Sequence, residues 1–221
     1  MRQEPGTPDR AALIEALSVF GLILLYIWRV RLFHPWRWLW IAALVGVSHW
    51  VRGESPAVLG LGLREARAAL RRVAPWVLLL AALLVAGGAW YGTINPVVLR
   101  RTPGSLPVYV VWGVVQQWML NAYFLNRLRQ AGCGRKAPAL ATALFVLAHL
   151  PNWFLMAVTL PGGYLAARLY LAYRSLWVLG CAHGLIGFLL NLVVPDDISG
   201  RFLVGPRYIL HRYGTYPEAL L

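Results

Sequence analysis

The run VVQQWMLNAYFLNRL, Val114 to Leu128, is apolar enough to lie in a hydrocarbon phase. Yet it contains two adjacent glutamines, Gln116 and Gln117, with Asn121 one helical turn later. The rest of the chain decides which solvent that segment meets. Of its 221 residues, 59% are hydrophobic and only 13% are charged, with 11 Trp and a mean hydropathy of +0.59. A soluble domain of this length carries charge on roughly a quarter of its residues. Apolar runs approaching the roughly 20 residues that cross a ~30 Å hydrocarbon layer recur along the chain. The composition therefore predicts an all-α, polytopic transmembrane helical bundle, and the three carboxamides need an explanation at membrane depth.

Seven spans are expected: Ala11 to Trp28, Trp36 to Val51, Pro75 to Tyr91, Leu106 to Leu128, Ala137 to Leu150, Asn152 to Tyr173 and Ser175 to Val194. The stretch LGLREARAALRR, 59–72, sets Leu61, Ala68 and Leu70 beside Arg64, Arg67, Arg71 and Arg72. It reads as a separate short interfacial helix with snorkelling arginines. The fifth span is short and stops at Pro151; irregular backbone at membrane depth survives only where protein buries it, so this turn is expected inside the bundle. Pro161 is expected to kink the sixth span. The resulting organisation is N-terminal spans over 1–105, a core over 106–194 and a short tail over 195–221.

A net charge of +13 raises nucleic-acid binding, but the basic residues fall in short loops between apolar runs, which points to membrane orientation instead and makes the bilayer the expected partner. With seven spans, 13 Lys and Arg fall on the N-terminal side and 8 on the other, which predicts a cytoplasmic N-terminus in an integral protein of the bacterial inner membrane. The polar first residues and the lack of a small-residue cleavage site make the first span a retained one. Cys133 and Cys181 are too few and too differently placed for a disulfide framework.

Polar side chains at span depth are Gln116, Gln117, Asn121, His149, Asn152, His183 and Asn191. Lipid is a costly neighbour for each, so each is expected to face the bundle interior or a wet cavity. Gln117 and Asn121, four apart, share a helix face, and Gly180 and Gly184 around His183 allow another helix to approach closely. Taken singly, such residues serve as interhelical hydrogen-bond glue. Taken together, three spans supply groups that could converge, and Gln116, Gln117, His149 and His183 are expected to line one intramembrane cavity.

The order and spacing of these residues resemble the CAAX-protease and bacteriocin-processing (CPBP, or Abi) family of intramembrane endopeptidases. The family's Glu-Glu-x-x-x-Arg motif falls on QQWMLN, its Phe-x-x-x-His motif is intact as FVLAH, Phe145 to His149, and its His-x-x-x-Asn motif falls on His183 and Gly187 in RSLWVLGCAHGLIG. The resemblance covers roughly 106–194. It implies an intramembrane endopeptidase acting on a membrane-anchored protein or peptide, with Gln116, Gln117, Asn121, His149 and His183 at catalytic positions. Phe145, Asn152, Gly187 and Asn191 would sit near the substrate, and no metal or cofactor is expected.

The departures matter chemically. The family's glutamate is thought to activate water, and a carboxylate can take the water's proton near neutral pH, whereas a carboxamide can only position the water. Replacing the acids with Gln and the arginine with Asn is self-consistent, because a site without carboxylates needs no buried cation. The residues leave several readings open: a peptidase with a histidine base, since neutral imidazole near pKa 6.5 suits that role; a catalytically silent relative that binds a transmembrane or lipidated segment; or a transporter, for which no broken-helix pair is evident. A two-histidine metal site lacks an acidic or thiolate ligand.

Overall fold

The structure, a computed structural model, describes residues 8–214. Arg2, one of the counted basic residues, and the end of the tail lie outside them. The helices are α1 (Arg10–Leu25), α2 (Trp38–Val51), α3 (Leu63–Trp90), α4 (Pro96–Arg100), α5 (Thr102–Gln117), α6 (Asn126–Gln130), α7 (Ala137–Leu147), α8 (Trp153–Tyr173), α9 (Leu176–Val193), α10 (Asp196–Ser199) and α11 (Pro206–Tyr213). No strand occurs among the described residues. Among the described residues four segments are long and apolar enough to cross a membrane: Arg10–Val30, Leu63–Trp90, Trp153–Tyr173 and Leu176–Val193. By contrast α2 has 14 residues and α7 has 11, short of the roughly 20 a straight crossing takes.

The separate interfacial helix expected over 59–72 does not exist as such. Leu63–Arg72 and the following apolar run form one 28-residue helix, α3, with Pro75 inside it. Proline forfeits one backbone hydrogen bond, but the flanking Leu, Arg, Glu and Ala residues are strong helix formers and propagation is cooperative. Pro161 likewise lies within α8. A further feature had no signal in the apolar pattern: between α5 and α6 the backbone widens into a π-helical stretch, Trp118–Leu125. Leu120 to Leu128 are all buried there.

The chain divides into two compact units. One comprises the chain up to Glu54, Tyr123–Ala167 and the chain from Leu203 onward. In it α1 is N-capped by the Asp9 carboxylate, which accepts from the Ala12 amide at 3.1 Å, and it buries a stripe of Ala12, Ala16, Val19 and Phe20. Phe20 meets Phe124 edge-on, ring centroids 6.2 Å apart. The opposite face of α1, including Ile14 and Leu17, is more than half exposed, as a lipid-facing surface would be.

The other unit comprises Ser55–Ala122 and Arg168–Phe202. Its centre is α9. Leu189, Leu192 and Val193 pack with Leu84 of α3 and Leu106 of α5, and Phe188 meets Tyr109 edge-on. Gly88 of α3 abuts Val193 at the far end of α9, while the Gly60 carbonyl, in the loop leading into α3, accepts from the Leu176 amide at the near end. The two helices therefore run parallel. In α5 the order is reversed: Val114 meets Gly180 and Tyr109–Val110 meets Gly184, so α5 is antiparallel to α9.

The α5–α9 approach depends on glycine. A Cβ on Gly113 would lie 2.5 Å from the Gly180 carbonyl oxygen, and one on Gly184 would lie 2.5 Å from the Tyr109 carbonyl oxygen, with backbone as the obstacle each time. Gly187, one turn on, differs: its Cβ would meet the Tyr109 ring at an ordinary 3.6 Å. Gly184→Ala is therefore expected to destabilise the protein by about 1–3 kcal/mol through overpacking. Gly187→Ala should be neutral or gain up to about 1 kcal/mol of helix propensity. Thermal unfolding in detergent measures both, and equal melting of the two variants would refute the close approach.

Candidate active site and a buried ion cluster

Gln117 closes the last turn of α5 and is 2% exposed; Asn121 follows in the π-helical stretch and is fully buried. Asn121 Nδ2 donates to Gln117 Oε1 at 2.6 Å, and Gln117 Nε2 lies 2.8 Å from His183 Nδ1 on α9. These form one chain of neutral groups, Asn121 to Gln117 to His183, within a single unit. An amide nitrogen can only donate, so His183 Nδ1 accepts and the imidazole carries its proton on Nε2. Asn121 Oδ1 is buried with no partner among the described residues, an orphaned acceptor beside this chain. Gln116 is half-buried on the neighbouring face, and Gly187 and Asn191 lie one and two turns beyond His183 on α9.

His149 belongs to the other unit. It sits in the turn after α7, 8% exposed, with Nδ1 2.7 Å from the Phe145 carbonyl oxygen and its ring edge-on to Phe145 at 4.7 Å. A carbonyl can only accept, so here Nδ1 carries the proton and Nε2 keeps its lone pair. Asn152, expected near substrate, is tied to the fold: its Oδ1 caps α8 by accepting from the Leu155 amide at 3.1 Å, and its Nδ2 donates to the Leu203 carbonyl at 3.0 Å. Phe145 supplies the carbonyl and the ring that fix His149.

Residues 100–189 match the family of type II CAAX prenyl endopeptidase Rce1-like proteins. The Rce1-like stretch is under half of the chain. It runs from the end of α4 into α9 and contains Gln116, Gln117, Asn121, Phe145, His149, Asn152, His183 and Gly187. This agrees with the resemblance read from the motifs, and together with the apolar helices it makes the chain an all-helical integral membrane protein carrying an Rce1-like segment. No curated protein and no solved structure matches the chain.

A second polar cluster escaped the sequence reading. Arg127, counted there as a loop cation, is fully buried. Its Nε donates to Glu15 at 2.9 Å, Nη1 to Glu54 at 2.7 Å, and Nη2 to Ser48 at 2.7 Å and to the second Glu54 oxygen at 3.1 Å. The guanidinium also stands 5.1 Å from the Tyr123 ring centroid. Glu15 accepts in addition from Arg52 at 2.8 Å and from the Ser48 hydroxyl; Arg52 also pairs with Asp9 at 2.8 Å. His49 Nδ1 donates to Glu54 Oε2 at 2.5 Å. All of these residues belong to one unit. Glu15 inside the first apolar run was the available signal, because an acid at that depth requires a partner.

Burial alone would raise the Glu54 carboxyl. Hydrogen bonds from Arg127 and His49 and the Arg127 charge outweigh it and hold Glu54 below the ordinary value of 4.5. The hydrogen bonds from Arg52 and the Ala12 amide likewise lower Asp9. Groups depressed in this way stabilise the fold at neutral pH, and their contribution is lost as pH falls below about 4.5 and through the lowered values. Thermal unfolding in detergent should show a midpoint that drops as pH is taken from about 7 to about 3. Arg127→Ala, which strands two carboxylates, should cost about 3–5 kcal/mol at neutral pH and flatten that acid dependence. An acid dependence unchanged in Arg127→Ala would show that the cluster is not the source.

Proposed function

We propose that the chain is an intramembrane endopeptidase of the CAAX-protease type, acting on a membrane-anchored protein or peptide, in which histidines do the work of the missing glutamates. The observation that carries this reading is the hold on His149, whose Nδ1 lies 2.7 Å from the Phe145 carbonyl oxygen. His149 Nε2 has a lone pair and can take a proton. His183 Nδ1 lies 2.8 Å from the Gln117 amide nitrogen, which orients the ring. In this reading His149 accepts a proton from water as the water oxygen adds to the scissile carbonyl carbon, and the carbonyl π electrons move onto oxygen. A hydrogen-bond donor stabilises that oxyanion; within its own unit His183, oriented by Gln117, is a polar group of the kind that does so. The intermediate then collapses, the C–N bond breaks, and the proton on His149 passes to the leaving amine. Gln116 and the orphaned Asn121 Oδ1 are polar groups suited to holding the water or the peptide N–H.

The match of residues 100–189 to the Rce1-like family supports this class of activity. The second reading, a silent relative that binds a membrane segment, draws on the neutrality of the Asn121–Gln117–His183 chain, which lacks the carboxylates of the family's first motif.

Reconstituted protein assayed on membrane-anchored peptides separates the two. His149→Ala and His183→Ala should each lower turnover by at least ~10²-fold, the scale for losing a general base or an oxyanion donor, and Gln116→Ala by less. Gln117→Glu probes the roles directly: a carboxylate accepts from Nδ1–H, moves the lone pair of His183 to Nε2, and should lower turnover. A rise in turnover would overturn the assignment of His183 as donor. A wild type that cleaves nothing, while Gln116→Glu with Asn121→Arg gains cleavage, would establish the silent reading.

We further propose the bacterial inner membrane as its location, with the N-terminus cytoplasmic, on the bias of basic residues. A cysteine at Lys136 should then be labelled from the cytoplasmic side; labelling from outside alone would invert the topology.

A further inference from the structure

Below the start of α9, in the unit it shares with α3, lies a shallow open groove of about 220 Å³. Its walls are Leu70, Val73 and Val77 of α3 and Trp177, Cys181 and Leu185 of α9, so its floor is wholly apolar. The helices are parallel, so the low-numbered end of both is the same end, and there the chemistry changes. Arg64, Arg67, Arg71 and Arg72 are all exposed on the first turns of α3.

Their depth follows from helix length. The apolar part of α3, Val73 to Trp90, is about 27 Å long at ~1.5 Å per residue, close to the ~30 Å hydrocarbon thickness. The preceding turns, Leu63 to Arg72, add about 15 Å that belongs in the headgroup layer. Trp177 marks the same level from α9: it is 43% exposed, and its indole Nε1–H donates to the Leu61 carbonyl at 3.1 Å. Indoles favour this boundary.

Helix phase selects among the arginines. Leu70, Val73, Ala74 and Val77 form the stripe that faces the groove. At 100° per residue Arg67 lies about 70° from the centre of that stripe and Arg71 about 110°, on the same flank, whereas Arg72 points about 150° away. Glu65, an acid in these turns, falls on the far side and folds back toward Gly62. An arginine side chain bends readily toward a headgroup while its stem lies on apolar surface.

We propose that this groove binds one anionic phospholipid, its phosphate held by Arg67 and Arg71 and one acyl chain laid along the floor between Leu70 and Leu185. The occupant is set by complementarity at both ends: a negative headgroup for two unopposed guanidiniums, and a hydrocarbon tail for an apolar trough open to the bilayer. No such pairing suits a zwitterionic lipid, whose headgroup brings its own cation, or a soluble anion, which leaves the trough empty.

Native mass spectrometry of the full chain, released from detergent micelles doped with phosphatidylglycerol or with phosphatidylcholine of the same chains, reads the site. A single retained phosphatidylglycerol should exceed phosphatidylcholine by about 25-fold, from about fivefold for each arginine. Arg67→Gln with Arg71→Gln should bring the two lipids to parity, and Arg72→Gln should change the ratio less than about twofold, because it points away. Ala74→Trp, which fills the trough, should expel both lipids; a variant that melts well below wild type is replaced by Val77→Phe. Millimolar inorganic phosphate should not displace the lipid. Equal retention of both lipids by wild type, equal effects of Arg72→Gln and the Arg67/Arg71 pair, or displacement by phosphate alone would each overturn the proposal.

Discussion

A guanidinium cannot shed its charge, so an arginine buried inside the protein imposes its partners on the rest of the fold. Arg127 has no exposed surface, and the carboxylates that neutralise it come from α1 and from the turn after α2, with Ser48 filling a further donor. Its own helix, α6, is only five residues long. The first two helices must therefore present Glu15, Ser48 and Glu54 to one point, and Arg52 then compensates the surplus negative charge by pairing with Asp9 and Glu15. The phase of α1 in its unit follows from this: with Glu15 turned inward beside Ala12 and Ala16, Ile14 and Leu17 are turned outward.

The candidate site follows the opposite strategy. Where Arg127 is held by full charges, Gln117 is held by dipoles: one amide accepts from Asn121 and donates to His183. A neutral chain costs less to bury than charges would, although Asn121 Oδ1 is left without a partner among the described residues, and its directionality carries chemical information that an ion pair would not. The direction of the Gln117 amide decides which nitrogen of His183 bears the proton, so a residue with no acid–base chemistry of its own sets the chemistry of its neighbour. On the other histidine the same decision is made by a backbone carbonyl four residues earlier, a consequence of Phe145 and His149 standing one helical turn apart.

Much of this was legible in the sequence. Apolar run length gave the long helices, because hydrocarbon thickness is a one-dimensional constraint, and Gly180 and Gly184 announced a close helix contact that α5 supplies. The amides and histidines were singled out because a polar atom in an apolar run is conspicuous. What was not legible depends on distance along the chain. Arg127 lies 112 residues from Glu15 and 73 from Glu54, and beside Arg129 and the basic turn that follows it looked like one more loop cation. The Gln117–His183 bond closes over 66 residues. The widened stretch after Gln117 is a matter of hydrogen-bond register, which side-chain pattern does not encode, and Pro75 was read as a boundary although the residues on either side favour one continuous helix.

The glycine contact between α5 and α9 has a mechanical consequence. Where two helices touch through side chains, rotamer changes let them slide or part by small steps. Where they touch backbone to backbone, as at Gly113, Gly180 and Gly184, there is nothing soft between them, and any separation breaks the whole contact at once. Gln117 and His183 stand on this closely packed pair, one on each helix. Compliance within that unit lies on the other flank of α9, where α3 meets it through valine, leucine and alanine side chains. The two flanks of α9 therefore differ in kind, backbone against backbone toward α5 and chiefly side chain against side chain toward α3.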